Sequence, residues 1–298
     1  MFKNSIMNRK DFLKTMITAT GTVSLGTSLK ALSENLTEQD EKMPVLFIGH
    51  GSPMNAIENN EFTQNWQTLG KNLPRPKAIL CVSAHWLTRG THVTAMPKPK
   101  TIHDFGGFPK ALFDVEYPAS GNPELAKEVA DSITSTTVGL DTQEWGFDHG
   151  SWSVVKPMYP DADIPLLQLS IDYHRPPQYH YDLAKQLAFL RKKGVLIIGS
   201  GNMVHNLGMA TFQNLNGPGF DWAIEMNEIF KKNINDGNHK PLIDYHSLGK
   251  IADLAIPTPD HYYPLLYSLA LQEPNDTVSI FNDKAVAGSL TMTSVQIG

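Results

Sequence analysis

The chain has 298 residues, 41% of them hydrophobic and 18% charged, which supplies a real apolar core and excludes an intrinsically disordered chain. Twenty-five lysines and arginines against 30 aspartates and glutamates give a net charge of −5, so no positive excess exists to hold a phosphate backbone, and nucleic acid is not expected as a partner. The single cysteine, Cys81, excludes an intrachain disulfide and any multi-thiolate zinc or iron–sulfur site. A metal here must use His, Asp or Glu, and there are eleven histidines.

Residues 1–42 read as a leader. Met7-Asn8-Arg9-Lys10-Asp11-Phe12-Leu13-Lys14 is basic, Thr15 to Leu32 is weakly apolar and rich in small residues, and Ser33 to Lys42 is polar. That is the order of an export signal. Arg9-Lys10 resembles the twin-arginine signal, with lysine where the second arginine would stand, and Ala31-Leu32-Ser33 offers a small-x-small cleavage site. This reading implies a periplasmic protein; the plain alternative is an N-terminal extension of a cytoplasmic one. The apolar run is too short and too polar for a membrane span.

Residues 43–298 suit one domain. Val45 to Ile48, Ala78 to Val82, Leu166 to Ser170 and Val195 to Ile198 are compact apolar runs of the kind that form strands buried on both faces. Helical spacing lies between them, in Phe62, Trp66, Leu69 and Leu73, in Leu125, Val129 and Ile133, and in Leu183, Leu187 and Leu190. Asn122-Pro123-Glu124 supplies an N-cap, a first-turn proline and an acid matched to the helix dipole. Thr277 to Phe281 and Ser289 to Val295 read as late or edge strands. The alternation predicts an α/β fold, a single domain with a largely parallel central sheet flanked by helices.

Ligands of open α/β sheets bind beyond the carboxyl ends of the strands, and histidines recur there. His50 follows the first run in Gly49-His50-Gly51-Ser52-Pro53, His85 follows the second in Ser83-Ala84-His85-Trp86, and His205 follows the fourth in Gly201-Asn202-Met203-Val204-His205-Asn206. His149 and His261 lie in loop-like settings, Trp145-Gly146-Phe147-Asp148-His149-Gly150 and Pro257-Thr258-Pro259-Asp260-His261-Tyr262. One loop histidine is ordinarily a surface or structural residue, and His92, His174, His180, His239 and His246 are read so. His103, before Asp104-Phe105-Gly106-Gly107-Phe108, reads as a lid or pocket wall. Five histidines at strand ends and Gly/Pro-framed loops can converge, and neutral imidazole is the commonest protein ligand of transition metals. Gly199-Ser200-Gly201 matches neither nucleotide-loop pattern, Ser52 and Ser83 lie in no nucleophile elbow, and Cys81 reads as inert core.

Taken together in order, these motifs resemble the class III extradiol ring-cleaving dioxygenases, nearest the 4,5-DOPA extradiol branch and related to the protocatechuate 4,5-dioxygenase β subunit. The resemblance runs from Met43 to Gly298. It implies His50, His85 and His261 as metal ligands, with histidine in the third place where more distant relatives carry glutamate. It implies His205 close to the metal, as a further ligand or an acid/base, and His149 as a catalytic histidine that hydrogen-bonds substrate or oxygen. The implied cofactor is one divalent metal per chain, Fe(II) for oxygen chemistry, with Zn(II) as a bound or purified form. The implied partners are a small aromatic diol, DOPA-like, and O2, in a monomer or a homo-oligomer, with a ring-opened semialdehyde as product.

The residue types suit this chemistry. A catechol binds through two oxygens, so three protein ligands leave the needed positions open, and histidine can take or give a proton near neutral pH. Two other readings use the same residues: a zinc hydrolase with metal-bound water as nucleophile, and a non-catalytic homologue that binds a small molecule. Trp86, Phe108, Tyr262 and Lys110 stand near the motifs as groups that could select a substrate, each with an ordinary reading as packing or surface.

Overall fold

Strands that are largely apolar can be covered on both faces, and four such strands form the centre of this protein. In chain order the strands are β1 (Val45–Gly49), β2 (Ala78–Thr88), β3 (Thr91–Thr94), β4 (Lys100–Thr101), β5 (Val138–Asp141), β6 (Gly146–Phe147), β7 (Leu166–Asp172), β8 (Val195–Gly201), β9 (Val278–Phe281), β10 (Ala285–Val286), β11 (Leu290–Thr291) and β12 (Ser294–Ile297). The computed structural model describes residues 41–298; the expected leader falls outside the described residues except at its end, where Lys42 pairs with Glu273 at 2.6 Å and Asp276 at 3.3 Å.

Eight strands make one sheet in the order β5-β3-β7-β2-β8-β1-β12-β9. The centre, β7-β2-β8-β1, is parallel throughout, and every residue of β1, β7 and β8 is buried. Antiparallel pairing enters toward the edges, where β12 lies against β1 and β9 and where β3 meets β7. The expected parallel α/β sheet is therefore present, with mixed margins. The Ser289 to Val295 run is two strands: β11 pairs with β10 in a separate ribbon, and only β12 joins the main sheet. β2 also runs past the expected end at Val82 to Thr88, through a register shift against β7 between Val82 and Leu87.

Alternation along β8 decides what covers each face. Ile198 belongs to the core cluster with Ile48, Cys81, Trp66 and Trp152, and the neighbouring Ser200 on that side donates to the Gly150 carbonyl in helix His149–Met158. The other face is covered by helix Tyr263–Leu269, whose seven residues are all buried. Gly199 and Gly201 point to it: a Cβ at Gly199 would lie 2.3 Å from the Pro264 carbonyl oxygen, and one at Gly201 would lie 2.1 Å from that of His261. Glycine at these two places lets the backbone carrying His261 rest directly on the sheet.

The helices follow their sequence signals. Asn60 and Thr63 form a reciprocal cap on helix Glu61–Asn72, which buries Phe62 and Trp66. Asn122 accepts from Leu125 N–H at 3.0 Å at the head of Pro123–Ser132. The Leu183/Leu187/Leu190 periodicity is interrupted: the chain forms Pro177–Lys185 and then Phe189–Lys192. The turn between them uses three-residue bonds such as Leu187 N–H to Ala184 O, which still bury all three leucines. Among the described residues no helix is long and apolar enough to cross a membrane.

Gly199→Ala forces a methyl group against backbone that has no side chain to move aside. It is expected to cost about 1–3 kcal/mol of stability, read as a lowered midpoint in chemical denaturation.

Candidate metal centre

Each of five histidines is brought to one place by a different local device. His50 follows β1 directly, and its backbone N–H donates to Gly201 O at 2.9 Å, tying the two strand ends together. His85 lies within β2, inside the irregular stretch between Val82 and Leu87, where a bulge-like shift re-aims a side chain. His149 was expected in a loop but opens the helix His149–Met158, behind the N-cap Asp148. His205 forms an isolated bridge to Leu290 and donates its backbone N–H to Ala255 O at 2.8 Å. His261 lies in the turn before helix Tyr263–Leu269, where its carbonyl accepts from Asn202 N–H at 2.9 Å.

The rings converge. His50 and His85 centroids are 5.1 Å apart, and His261 lies 5.1 Å from His50 and 5.0 Å from His85. His149 is 3.8 Å from His85, and His205 stacks on His261 at 3.5 Å. The tightest sets of ligand atoms are His50 with His85 and His149, and His205 with Asp260 and His261, each within 4.8 Å. His149 thus groups with His50 and His85 more closely than the sequence reading expected, while His261 keeps company with His205.

The partners behind the rings fix which nitrogen faces inward. Ser200 Oγ spends its proton on Gly150 O, so at 3.0 Å from His50 Nδ1 it can only accept. His50 is therefore protonated at Nδ1, with the Nε2 lone pair free. Asp104 lies behind two rings, with Oδ1 3.0 Å from His149 Nδ1 and Oδ2 3.5 Å from His85 Nδ1. Asp260 is in close contact with His261 Nδ1. Carboxylates facing Nδ1 favour the Nδ1–H form in each case. His50 Nε2 and His85 Nε2 then stand 3.3 Å apart with no proton between them. Two nitrogens about 2.0–2.1 Å from one ion at a tetrahedral angle would stand about 3.3 Å apart, so His50 and His85 are spaced as two ligands of one divalent metal.

Burial keeps the imidazoles of His50, His85, His205 and His261 neutral. It drives His50 and His261 well below the usual histidine range, with the neighbouring histidines adding to the effect. Burial and His149 lower His85 to about 3 against the opposing pull of Asp104. Burial lowers His205 to about 4, opposed by Asp260. For Asp104 burial acts upward, but the contacts with His149 and His85 outweigh it and hold the carboxyl below its ordinary value. Asp148 is the opposite case: burial and then the Asp104 charge push it up, and it serves as scaffold. Ser83 and Gln168 donate to it at 2.7 Å each, and Trp145 donates at 3.2 Å.

Asp104, Asp260 and Ser200 were not singled out by sequence. The signal available was their adjacency to predicted histidines or glycines, which carries little weight until the fold is known. His103 is an anchor rather than a lid: its Nε2 is 2.9 Å from Val115 O, and its ring packs against Phe105, Phe113 and Trp152. The aromatic ring beside His149 is Phe105, edge-on at 5.6 Å. Tyr262 is buried with its hydroxyl on Leu242 O, Trp86 stacks on Trp145, Phe108 packs on Phe105, and Lys110 pairs with Asp114. Cys81 is fully buried, and burial drives its thiol well up. A cavity of about 860 Å³ between Asn55–Asn59 and Tyr159 contains none of the five histidines.

The family described as the catalytic LigB subunit of aromatic ring-opening dioxygenase matches residues 44–266. The chain is 47% identical over 272 residues to the 4,5-DOPA dioxygenase extradiol of Escherichia coli (strain K12), an alignment covering 90% of this chain and 99% of that protein. It is 33% identical over 264 residues to the 4,5-DOPA dioxygenase extradiol of Beta vulgaris, covering 86% and 97%. A crystal structure of an uncharacterized protein from Escherichia coli K12 matches with a TM-score of 0.75 at 44% identity, covering 86% of this chain and all of that one.

The depressed histidines have a consequence for the metal-free protein. As pH falls below about 6.5, the unfolded chain takes up protons that buried His205 and His85 refuse until about 4 and about 3. Stability should therefore fall from pH 7 to pH 5. Denaturation midpoints of the metal-free protein at the two pH values measure this, and His205→Gln should lessen the fall.

Proposed function

The chain belongs to the family of the catalytic LigB subunit of aromatic ring-opening dioxygenases, and we propose that it opens the ring of a small catechol such as DOPA with a divalent metal held by His50, His85 and His261. It is an extradiol dioxygenase, an oxidoreductase that uses O2. In such a reaction the carbon–carbon bond beside the diol breaks and both atoms of O2 enter the product, one in a carboxylate and one in an aldehyde. The substrate class is supported by the names of the two relatives and by the metal-fitting nitrogens of a neutral, buried site.

The observation that carries the proposal is the 3.3 Å approach of His50 Nε2 and His85 Nε2, with each Nδ1 facing an acceptor. Three neutral histidines leave the ion its full positive charge, which favours binding of a catechol as an anion. Ferrous iron, when bound, supplies the electrons and open positions that oxygen chemistry requires. The chain's own residues supply the rest. His149, with Nδ1 turned to Asp104, is placed to take a catechol proton at Nε2 and to return it during ring opening. His205, stacked on His261, lies close enough to hold the substrate or move a second proton. Phe105 walls the space beside His149 with apolar surface that suits an aromatic ring.

Zn(II) has no redox chemistry yet outcompetes Fe(II) at nitrogen ligands, so the purified protein is expected to carry zinc and to consume little oxygen. Anaerobic loading with Fe(II), followed by a panel of catechols in air, should give oxygen uptake and a yellow ring-opened product. An active zinc form free of iron would contradict the assignment of iron. His50→Ala and His85→Ala should each lose bound metal, as measured by elemental analysis, and lose activity with it; full activity in either variant would sink the proposed ligand set.

A further inference from the structure

Asp104 stands behind two histidines that come from different parts of the fold. Its Oδ1 accepts from the backbone N–H of His149 at 2.9 Å and lies 3.0 Å from that residue's Nδ1, while Oδ2 lies 3.5 Å from His85 Nδ1. The distance to His149 Nδ1 is that of a hydrogen bond, although the ring N–H is not aligned with it. Catalytic contacts of this kind often tighten only when the site is filled. The segment before Asp104 is pinned: Ile102 N–H donates to Phe147 O at 2.7 Å, Trp152 Nε1 donates to Ile102 O at 2.9 Å, and His103 is held on Val115 O. The carboxylate is mostly covered, with 17% of the side chain exposed, although the residue's backbone is open to solvent.

From this geometry we infer that Asp104 is a positioning residue that holds His85 and His149 together in the Nδ1–H form, so that one carboxylate sets both a metal-binding nitrogen and a proton-carrying nitrogen. The physical reason is lone-pair repulsion. If either ring carried its proton on Nε2, an unprotonated Nδ1 would face a carboxylate oxygen at 3.0–3.5 Å, with nothing between two electron pairs. Protonation at Nδ1 converts that repulsion into a charge-assisted contact and leaves Nε2 free to bind or accept. His261 has a carboxylate of its own in Asp260 and His50 a hydroxyl in Ser200, whereas His85 and His149 both turn Nδ1 to Asp104. The backbone contact to His149 adds a rigid link, because His149 is the first residue of its helix.

The inference rests on the metal-site reading, and its test does not depend on turnover. Asp104→Asn keeps the shape but offers one carbonyl acceptor and one amide N–H donor group to two N–H groups. In the zinc-loaded protein, nitrogen-15 spectra of histidine side chains should show Nδ1–H forms for His85 and His149 in the native chain. In Asp104→Asn at least one of the two should become a mixture. Zinc affinity by competition titration should fall about 10- to 100-fold, while the circular dichroism spectrum is unchanged. Asp104→Glu, which keeps the charge, should recover the Nδ1–H pattern, and it carries the same test if the asparagine variant folds poorly. Native tautomer signals and zinc affinity within twofold in Asp104→Asn would overturn the inference and leave the proposed function standing. Zinc binding and native tautomers without ring opening under Fe(II) would overturn the proposed function and leave the role of Asp104 standing.

Discussion

Two imidazole nitrogens 3.3 Å apart, each carrying a lone pair, are an unfavourable arrangement unless a cation lies between them, and the protein is organised to hold that arrangement. A histidine left to itself would rotate or move its proton until the pair became a hydrogen bond. Here each Nδ1 faces an acceptor that has no proton to give in return: Ser200, whose hydroxyl is spent on Gly150, and the Asp104 carboxylate. Burial adds the second half of the constraint, because it penalises the imidazolium that would otherwise relieve the repulsion. The site is therefore preorganised as a neutral nitrogen donor set, and the cost is carried by the surrounding fold.

The fold carries it through contacts that look unrelated to chemistry. The Asp148 carboxylate caps the helix that begins at His149 and receives Ser83, from the strand that bears His85. The glycines of β8 allow the His261 backbone to sit against the sheet, and Ser200 between them reaches the opposite face. One short stretch, Gly199-Ser200-Gly201, thus locates two histidines on opposite sides of a strand. A sequence reading meets this tripeptide as a weak nucleotide-loop look-alike; its use depends on alternation along a strand whose neighbours are unknown until the sheet is assembled.

Legibility differed by kind of feature. The central strands and the capped helices follow from apolar period and turn chemistry, and the five histidines that converge are picked out by their place at strand ends or in Gly/Pro-framed loops, because those signals are local. Errors lie where local signals compete with pairing. β2 continues past Val82 because its neighbour β7 continues beside it. The Leu183 to Leu190 helix breaks although its apolar period does not, since burial fixes which residues face inward and not which hydrogen bonds are made. The Ser289 to Val295 run divides because Leu290 and Val295 serve different sheets.

By itself the sequence determined that any metal would be bound by nitrogen or carboxylate, that the sheet would be largely parallel, and that His50, His85, His205 and His261 were the residues to watch, along with His149. Those are consequences of composition and of periodicity, which any stretch of chain carries with it. Only the tertiary structure decided which nitrogen is free in the rings of His50, His85, His149 and His261, because that depends on what stands behind each. Asp104, Asp260 and Ser200 supply that backing, and two of the three reach their partners across long stretches of sequence. Hydrogen-bond direction is a property of pairs, and the chain had to fold before the pairs existed.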